Sequence, residues 1–506
     1  MSPAVALPRV AVESDAGPLS GPAADALGRV LVHQALGAPT LCELVFVDAL
    51  PAAEVASTFT PGASLRVLVR GHDAPLFVGE VTAVEHVHAP DHGLEIRVRG
   101  YDPLHRLRKR QSPRVHLQVT PADLAADLVG DLGLTVVADD PGPLWPRLIQ
   151  HRQSDLELLL DVCERSGLFP FVDDRELRLL TLEGTGETVP LRLGESLFEA
   201  SIELNADRAA RSVTAAGWDL VRAEAHNGSA SEARTGRRTD ASVDVDRVGA
   251  GGERVLLDES APDDALASAL AQAELDLRGA SEVVLRGTAA GDPRLRPGCA
   301  VEVENVEQAL TGRYVLTEVR HAIDREGGFI SEISSAPPEP PARRGGTTLT
   351  VGLVTSVDDP DRLGRVQVVL PTFGDVESGW VGVVSAAAGS GKGFVALPDV
   401  GDRVLVLLAH EDPGRAVILG GLFGADGPVD PGVEEGAVRR FTIRTAGGHF
   451  IRLDDERRTL HIEDSQGSFV SLSPEVVQIH AETDLVVDAP GRNVRIRAQS
   501  IDLETA

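Results

Sequence analysis

Between Arg439 and Ala506 the sequence alternates apolar and polar residues almost without a break. Ile451 and Leu453, Leu460 and Ile462, Val470 and Leu472, Leu485 and Val487, Val494 and Ile496, and Ile501 and Leu503 recur at period two. Gly447-Gly448, Gly467, Pro474 and Pro490-Gly491 cut the stretch into short strands. Period two places these side chains on one face of a sheet. A stack of short strands has nothing of its own to cover that face or to pair its edges. About a dozen such side chains at roughly 1.5–3 kcal/mol each amount to some tens of kcal/mol, available only when other chains supply the cover. The pattern predicts intertwined copies of the chain closing a rigid β-prism.

A length of 506 residues predicts three or four domains. Aromatic content of 4%, with 51 glycines and 32 prolines, fits a β-rich, turn-rich molecule. A net charge of −29 argues against nucleic acid and anionic membrane as partners, because both require basic surface. Cys42, Cys163 and Cys299 are widely spaced and odd in number, which predicts free buried thiols in a reducing cytoplasm rather than a disulfide framework. The opening MSPAVALPRVAVESDAG lacks a basic start and a long apolar core, so no secretory signal is expected. No apolar run approaches 18 residues, so no stable membrane insertion is expected.

Three breaks divide the chain. Residues 224–253 are small, polar and aperiodic, and predict a long loop inside the first large segment. Residues 336–347 read as a Pro/Gly/Arg linker, and 427–437 as a second, shorter one. The segments are therefore 1–335, 348–426 and 438–506. In the first, strands are expected at Leu65–Arg70, Phe77–Val84, Leu94–Arg99, Glu282–Arg286, Ala300–Glu304 and Tyr314–Arg320. Helices are expected from Thr120, with Leu124, Leu128 and Leu132 at four-residue spacing, and near Asp263–Leu277. A third is expected from Ser154, where Ser154 and Glu157 form a capping box and Gly167 ends the helix. In the middle segment VGLVTSV, RVQVVLP, WVGVVSA, RVLVLLA and AVILGGL predict five strands of a small OB-like closed barrel.

The middle segment resembles the OB domain of VgrG-type and phage-baseplate spike proteins. The residues that carry the likeness are Asp359-Pro360, Gly364-Arg365-Val366, Pro371, Trp380, Gly389, Gly393, Pro398, Gly401-Asp402, Val404, Asp412-Pro413 and Val417-Ile418-Leu419-Gly420. RVRGYDPLHRLRKRQ (97–111), QHRQSDLELLLDVCERSGLFPFV (150–172), GDPRLRPGCAVEVENV (291–306) and GRYVLTEVRHAI (312–323) are similar to the tail-hub half of the same family. AGGHFIRLDDERRTLHIEDSQG resembles the first turns of the family's β-helix.

The resemblance implies a fold that is mainly β with an α+β hub. Residues 1–335 would hold two barrel-type subdomains with helical inserts, 348–426 the OB barrel, and 438–506 an intertwined triple-stranded β-helix in a homotrimer. It implies the central spike of a contractile injection system of the extracellular or phage-like type. The implied partners are a hexameric inner tube, baseplate subunits, a PAAR-type tip protein on the face formed by Leu503, Glu504, Thr505 and Ala506, and an effector cargo. Assembly would occur in the cytoplasm, as part of a particle that is released or delivered to a target.

The chemical motifs weigh against an enzyme. Gly389–Gly393 reads GSGKG, but a phosphate loop needs a glycine where Ala386 stands and Ser or Thr where Gly393 stands. His410-Glu411 begins like a zinc-protease motif, without the second histidine. Asp454-Asp455-Glu456 could supply paired carboxylates, yet the acids sit in an expected exposed turn. His461 and His480 alternate against apolar neighbours and should face outward, whereas the facing of His449 is open; three copies of an inward histidine would make a metal site. Arg106, Arg108, Lys109 and Arg110 form either a solvated loop or a contact with acidic neighbours. No catalytic residue, metal ligand or cofactor is therefore expected. A tail-associated cell-wall hydrolase and a receptor-binding tail fibre are the alternative readings.

Overall fold

The computed structural model describes residues 10–502, apart from 48–54, 56, 73, 90–92, 220–223, 250–251, 260, 340–345 and 425–426. The chain forms two compact units, Met1–Gly421 and Leu422–Ala506.

In the first unit one eleven-stranded sheet draws on both ends of the expected hub segment. Strands Val10–Ser14, Gly17–Pro18, Leu27–Ala35, Leu41–Val47, Ser64–Val69, Phe77–Ala89 and Gly93–Tyr101 make one half. Leu197–Leu204, Val283–Ala290, Glu318–Asp324 and Gly328–Ser334 make the other. The halves join where Leu27–Ala35 pairs antiparallel with Glu318–Asp324, Leu31 lying opposite Ala322. Alternation along the strands sends Val30, Val32, Leu44, Phe46, Val67 and Val98 into one core. The expected strand Tyr314–Arg320 is two, Gly312–Val315 and Glu318–Asp324. The break moves the chain from a three-stranded sheet into the large one.

Between the two halves in chain order come the helices α1 (Pro121–Val129) and α2 (Asp155–Glu164). Both begin with a reciprocal capping box, Thr120 with Asp123 and Ser154 with Glu157, which satisfies backbone donors that a first turn leaves unpaired. Leu124, Leu128, Leu159 and Cys163 pack together in a second core. Gly167, at φ +70°, turns the chain out of α2.

The long loop expected over 224–253 is in part a strand, Glu224–Ala230. It pairs with Ser212–Asp219 and lies under helix α3 (Asp264–Ser281). A Cβ at Gly228 would lie 2.1 Å from the Ser268 nitrogen, so the small residues that look like a loop are those that let a helix rest directly on the sheet.

The barrel closes with five strands: β1 (Thr347–Ser356), β2 (Val366–Leu370), β3 (Val376–Val383), β4 (Arg403–Ala409) and β5 (Ala416–Gly421), in the order β1-β2-β3-β5-β4. Val354, Val366, Val368, Val381, Val404, Val406 and Ile418 fill it. It rests on the helical region, where the Arg152 guanidinium meets Glu411 at 2.7 Å and lies 5.2 Å from the centre of the Phe373 ring.

The second unit is a meander of five antiparallel strands: β6 (Arg440–Arg444), β7 (Phe450–Asp454), β8 (Thr459–Glu463), β9 (Phe469–Leu472) and β10 (Val477–His480). A two-residue-strand hairpin, Val433–Glu434 with Ala437–Val438, occupies the end of the expected second linker.

Candidate assembly surface

The turns of the meander set its register. Gly448 at φ +96° donates to the Thr445 carbonyl between β6 and β7. Between β8 and β9, Asp464 Oδ1 accepts from the amides of Gln466 and Ser468, and Gly467 stands at φ +100°. In that register Ile443 lies opposite Ile451, Ile451 opposite Ile462, Leu453 opposite Leu460, Ile462 opposite Val470, and Val470 opposite Ile479. One face is therefore apolar from edge to edge, as the alternation requires.

That face is bare in the single chain. Ile451, Leu453, Ile462 and Leu472 are between 37% and 46% exposed, and Leu460 and Val470 are half-buried. Among the described residues no strand follows His480. Leu485, Val487, Val494, Ile496 and Ile501, expected in strands, have no regular partner and are 55–72% exposed. A strand needs a neighbour for its row of N–H and C=O groups, and these described segments are paired with none. Leu503, Glu504, Thr505 and Ala506 lie outside the described residues.

The opposite face carries a ladder of rings. Phe450 and His461 are 5.5 Å apart, His461 and Phe469 5.2 Å, and Phe469 and His480 5.1 Å. His461 and His480 thus stand away from the apolar face. His449 Nδ1 accepts from the Ser465 amide at 3.2 Å, so this ring closes a turn. No group of three His, Cys, Asp or Glu that could hold a metal occurs among the described residues.

At the base of the meander Arg440 reaches both oxygens of Asp430, at 2.8 and 3.0 Å, and also binds Glu434. The guanidinium holds the Asp430 carboxyl down at about 2. Asp454 differs from its expected exposed position. It is buried, because the turn folds back and Asp454 Oδ1 accepts from the Arg457 amide at 2.8 Å; Asp455 and Glu456 remain exposed.

Elsewhere the motifs have structural work. In GSGKG, Gly389 and Lys392 exchange backbone hydrogen bonds at a tight tip, and the next element is strand β4 rather than a helix. His410 and Glu411 both have positive φ in the turn after β4, where Glu411 accepts from Arg152. Of the basic run, Arg106 pairs with Glu80, Arg110 with both oxygens of Asp131, and Arg108 lies over the Tyr101 ring. Cys42, Cys163 and Cys299 are free and buried, and burial pushes all three thiols up. Asp359 and Arg365, both in the OB likeness, form a buried pair. The Arg365 guanidinium, together with the Asp361, Leu363 and Arg365 amides that also donate to it, holds the Asp359 carboxyl well below the usual carboxylate range.

Comparison with known proteins agrees with this anatomy. The model of the type VI secretion system/phage-baseplate injector OB domain matches residues 350–423. A chain of the Francisella PdpA-VgrG complex is similar over 94% of this chain and 88% of its own, at 9% identity and TM-score 0.54. The E. coli c3393 protein, a type VI secretion component with structural similarity to the T4 bacteriophage tail proteins gp27 and gp5, is similar over 81% of this chain and 99% of its own, at 11% identity and TM-score 0.51. A 43 kDa tail protein of prophage MuSo2 from Shewanella oneidensis is 15% identical over 64% of this chain and 97% of its own, with TM-score 0.49. No curated protein matches. The first two likenesses establish a fold of VgrG and phage-tail type. Residues 26–325 match the model of the Alg8 N-terminal domain, and the chain belongs to that family.

Proposed function

We propose that this chain is the central spike of a phage-tail-like contractile injection system. Three copies associate, and their meanders enclose the apolar face as the inside of a β-helical needle. The hub half joins a hexameric inner tube and baseplate subunits, and the far end of the needle receives a PAAR-type tip protein and an effector cargo. The spike assembles in the cytoplasm and acts by force, without catalysis. What carries the reading is the uncovered face centred on Ile451, Leu453, Leu460, Ile462, Val470 and Leu472, on a chain with the hub and OB folds of spike proteins. Covering it in a trimer also gives Leu485, Val487, Val494, Ile496 and Ile501 the strand partners that one copy lacks.

Light scattering of the full chain tests the proposal. A mass of three chains at micromolar concentration is expected, and a stable monomer rejects it. The cell-wall hydrolase reading is tested by a muramidase assay on the same protein, where the spike reading predicts no activity. A tail fibre would share the prism, but the OB segment over residues 350–423 argues for the spike.

A further inference from the structure

Barrel strand β1 turns three of its four large apolar side chains outward. Thr350, Gly352 and Val354 face the interior, Thr350 bonding to Thr372 and Gly352 standing where a Cβ would meet Val406 and Val368 at 2.9 and 3.2 Å. Leu349, Val351 and Leu353 face out, and are 40–57% exposed. In the paired register Leu407 stands beside Leu349 and Leu405 beside Val351, which widens the exterior into an apolar wall. A small barrel normally does the reverse, with polar side chains outward.

A second apolar feature lies on the same domain. Strands β3 and β4 are joined by 384–402, a connection longer than compact domains use without a purpose. It is pinned at its base, where the Val384 amide donates to the Ile418 carbonyl and the Phe394 amide to the Ala386 carbonyl. Beyond that it presents Phe394, Val395, Leu397 and Val400, all 43–83% exposed. The arm does not cover the wall of its own barrel, since both remain open in the single chain.

We propose that the arm 384–402 of one copy lies on the β1 wall of the next, so that the OB barrels lock head to tail. This rests on the trimeric spike reading. The occupant is a second copy because each chain offers one apolar arm and one apolar wall on one domain. A contact between two different patches of identical subunits closes into a ring when the rotation permits.

The test links full-length chains. Val395→Cys carrying one tag and Val351→Cys carrying another are co-expressed and treated with a short bis-maleimide; the native cysteines are buried. A linked dimer bearing both tags is expected, with neither variant linking when expressed alone. Adding Leu349→Asp and Leu353→Asp to the wall variant is expected to reduce the linked product at least tenfold. Chains that scatter as trimers but give no mixed product overturn the arm contact and leave the spike reading standing. So does linkage of Val395→Cys to itself, or a purely intrachain product in the doubly substituted chain. Monomeric wild-type chains overturn both.

Discussion

Ile451 lies directly opposite Ile462 on adjacent strands of the C-terminal meander, and both remain more than one-third exposed. Two β-branched residues paired across a sheet supply good cross-strand packing. They shield each other only edgewise, however, and leave the outward side of the pair for something else to cover.

If three copies associate through this face, as proposed, Ile462→Asp is expected to abolish the trimer. It would bring carboxylates together on the inside of the prism, and burying such charges unpaired costs several kcal/mol per ion. Light scattering should then report one chain instead of three, while the far-ultraviolet circular dichroism of the first unit is retained. An unchanged trimer mass would show that association does not depend on this face.

Gly228→Val is expected to destabilise the hub by about 1–3 kcal/mol or more. The added side chain meets backbone atoms of Ala267 and Ser268 in α3 rather than a movable side-chain tip. Chemical denaturation followed by tryptophan fluorescence reads the loss, and an unchanged midpoint would contradict the close packing of α3 on the strand.

Hub stability should fall between about pH 6.5 and 4. His321 is fully buried, bonded to Ser331 Oγ at 2.8 Å and the Leu295 carbonyl at 3.0 Å, and burial pulls its pKa down to about 4. The folded state therefore holds the neutral ring while the unfolded chain takes up a proton below its ordinary value. Stability is whole above that value and declines as pH drops through the window, by about 3 kcal/mol in all. His321→Gln should remove that slope in melts taken across the range, whatever it does to absolute stability.

The barrel should show its own acid sensitivity lower down. The Arg365 guanidinium and backbone donors keep Asp359 ionised, so its stabilisation is complete above the ordinary aspartate value of 3.8 and is lost progressively as pH falls below it. Asp359→Asn should flatten the dependence of the melting temperature between pH 4 and 2. A wild-type slope that survives this substitution would place the acid-sensitive group elsewhere.

Local signals were readable wherever the physics is local. Ser154 and Glu157 are three residues apart, and the capping box forms as that spacing requires. The five barrel strands follow from alternation and glycine corners, and the apolar face of the meander follows from period two. The strand at Glu224–Ala230 was not legible, because its small residues answer to a helix that arrives from Asp264–Ser281, later in the chain. The burial of Asp454 was hidden for a similar reason, since it depends on how the turn at Arg457 folds back. Nor does the alternation tell that Leu349, Val351 and Leu353 point outward: it places the three on one face of the strand without saying which face lines the barrel.

The sequence alone determined which residues share a face, where helices begin and that the C-terminal strands carry one apolar face, because these follow from backbone periodicity and capping chemistry within a few residues. Only the tertiary structure decided that the two ends of the hub segment share one sheet, that α3 lies on Gly228, and that strand β1 turns its leucines to the outside. Those outcomes depend on contacts between residues tens to hundreds of positions apart, whose geometry no local pattern encodes.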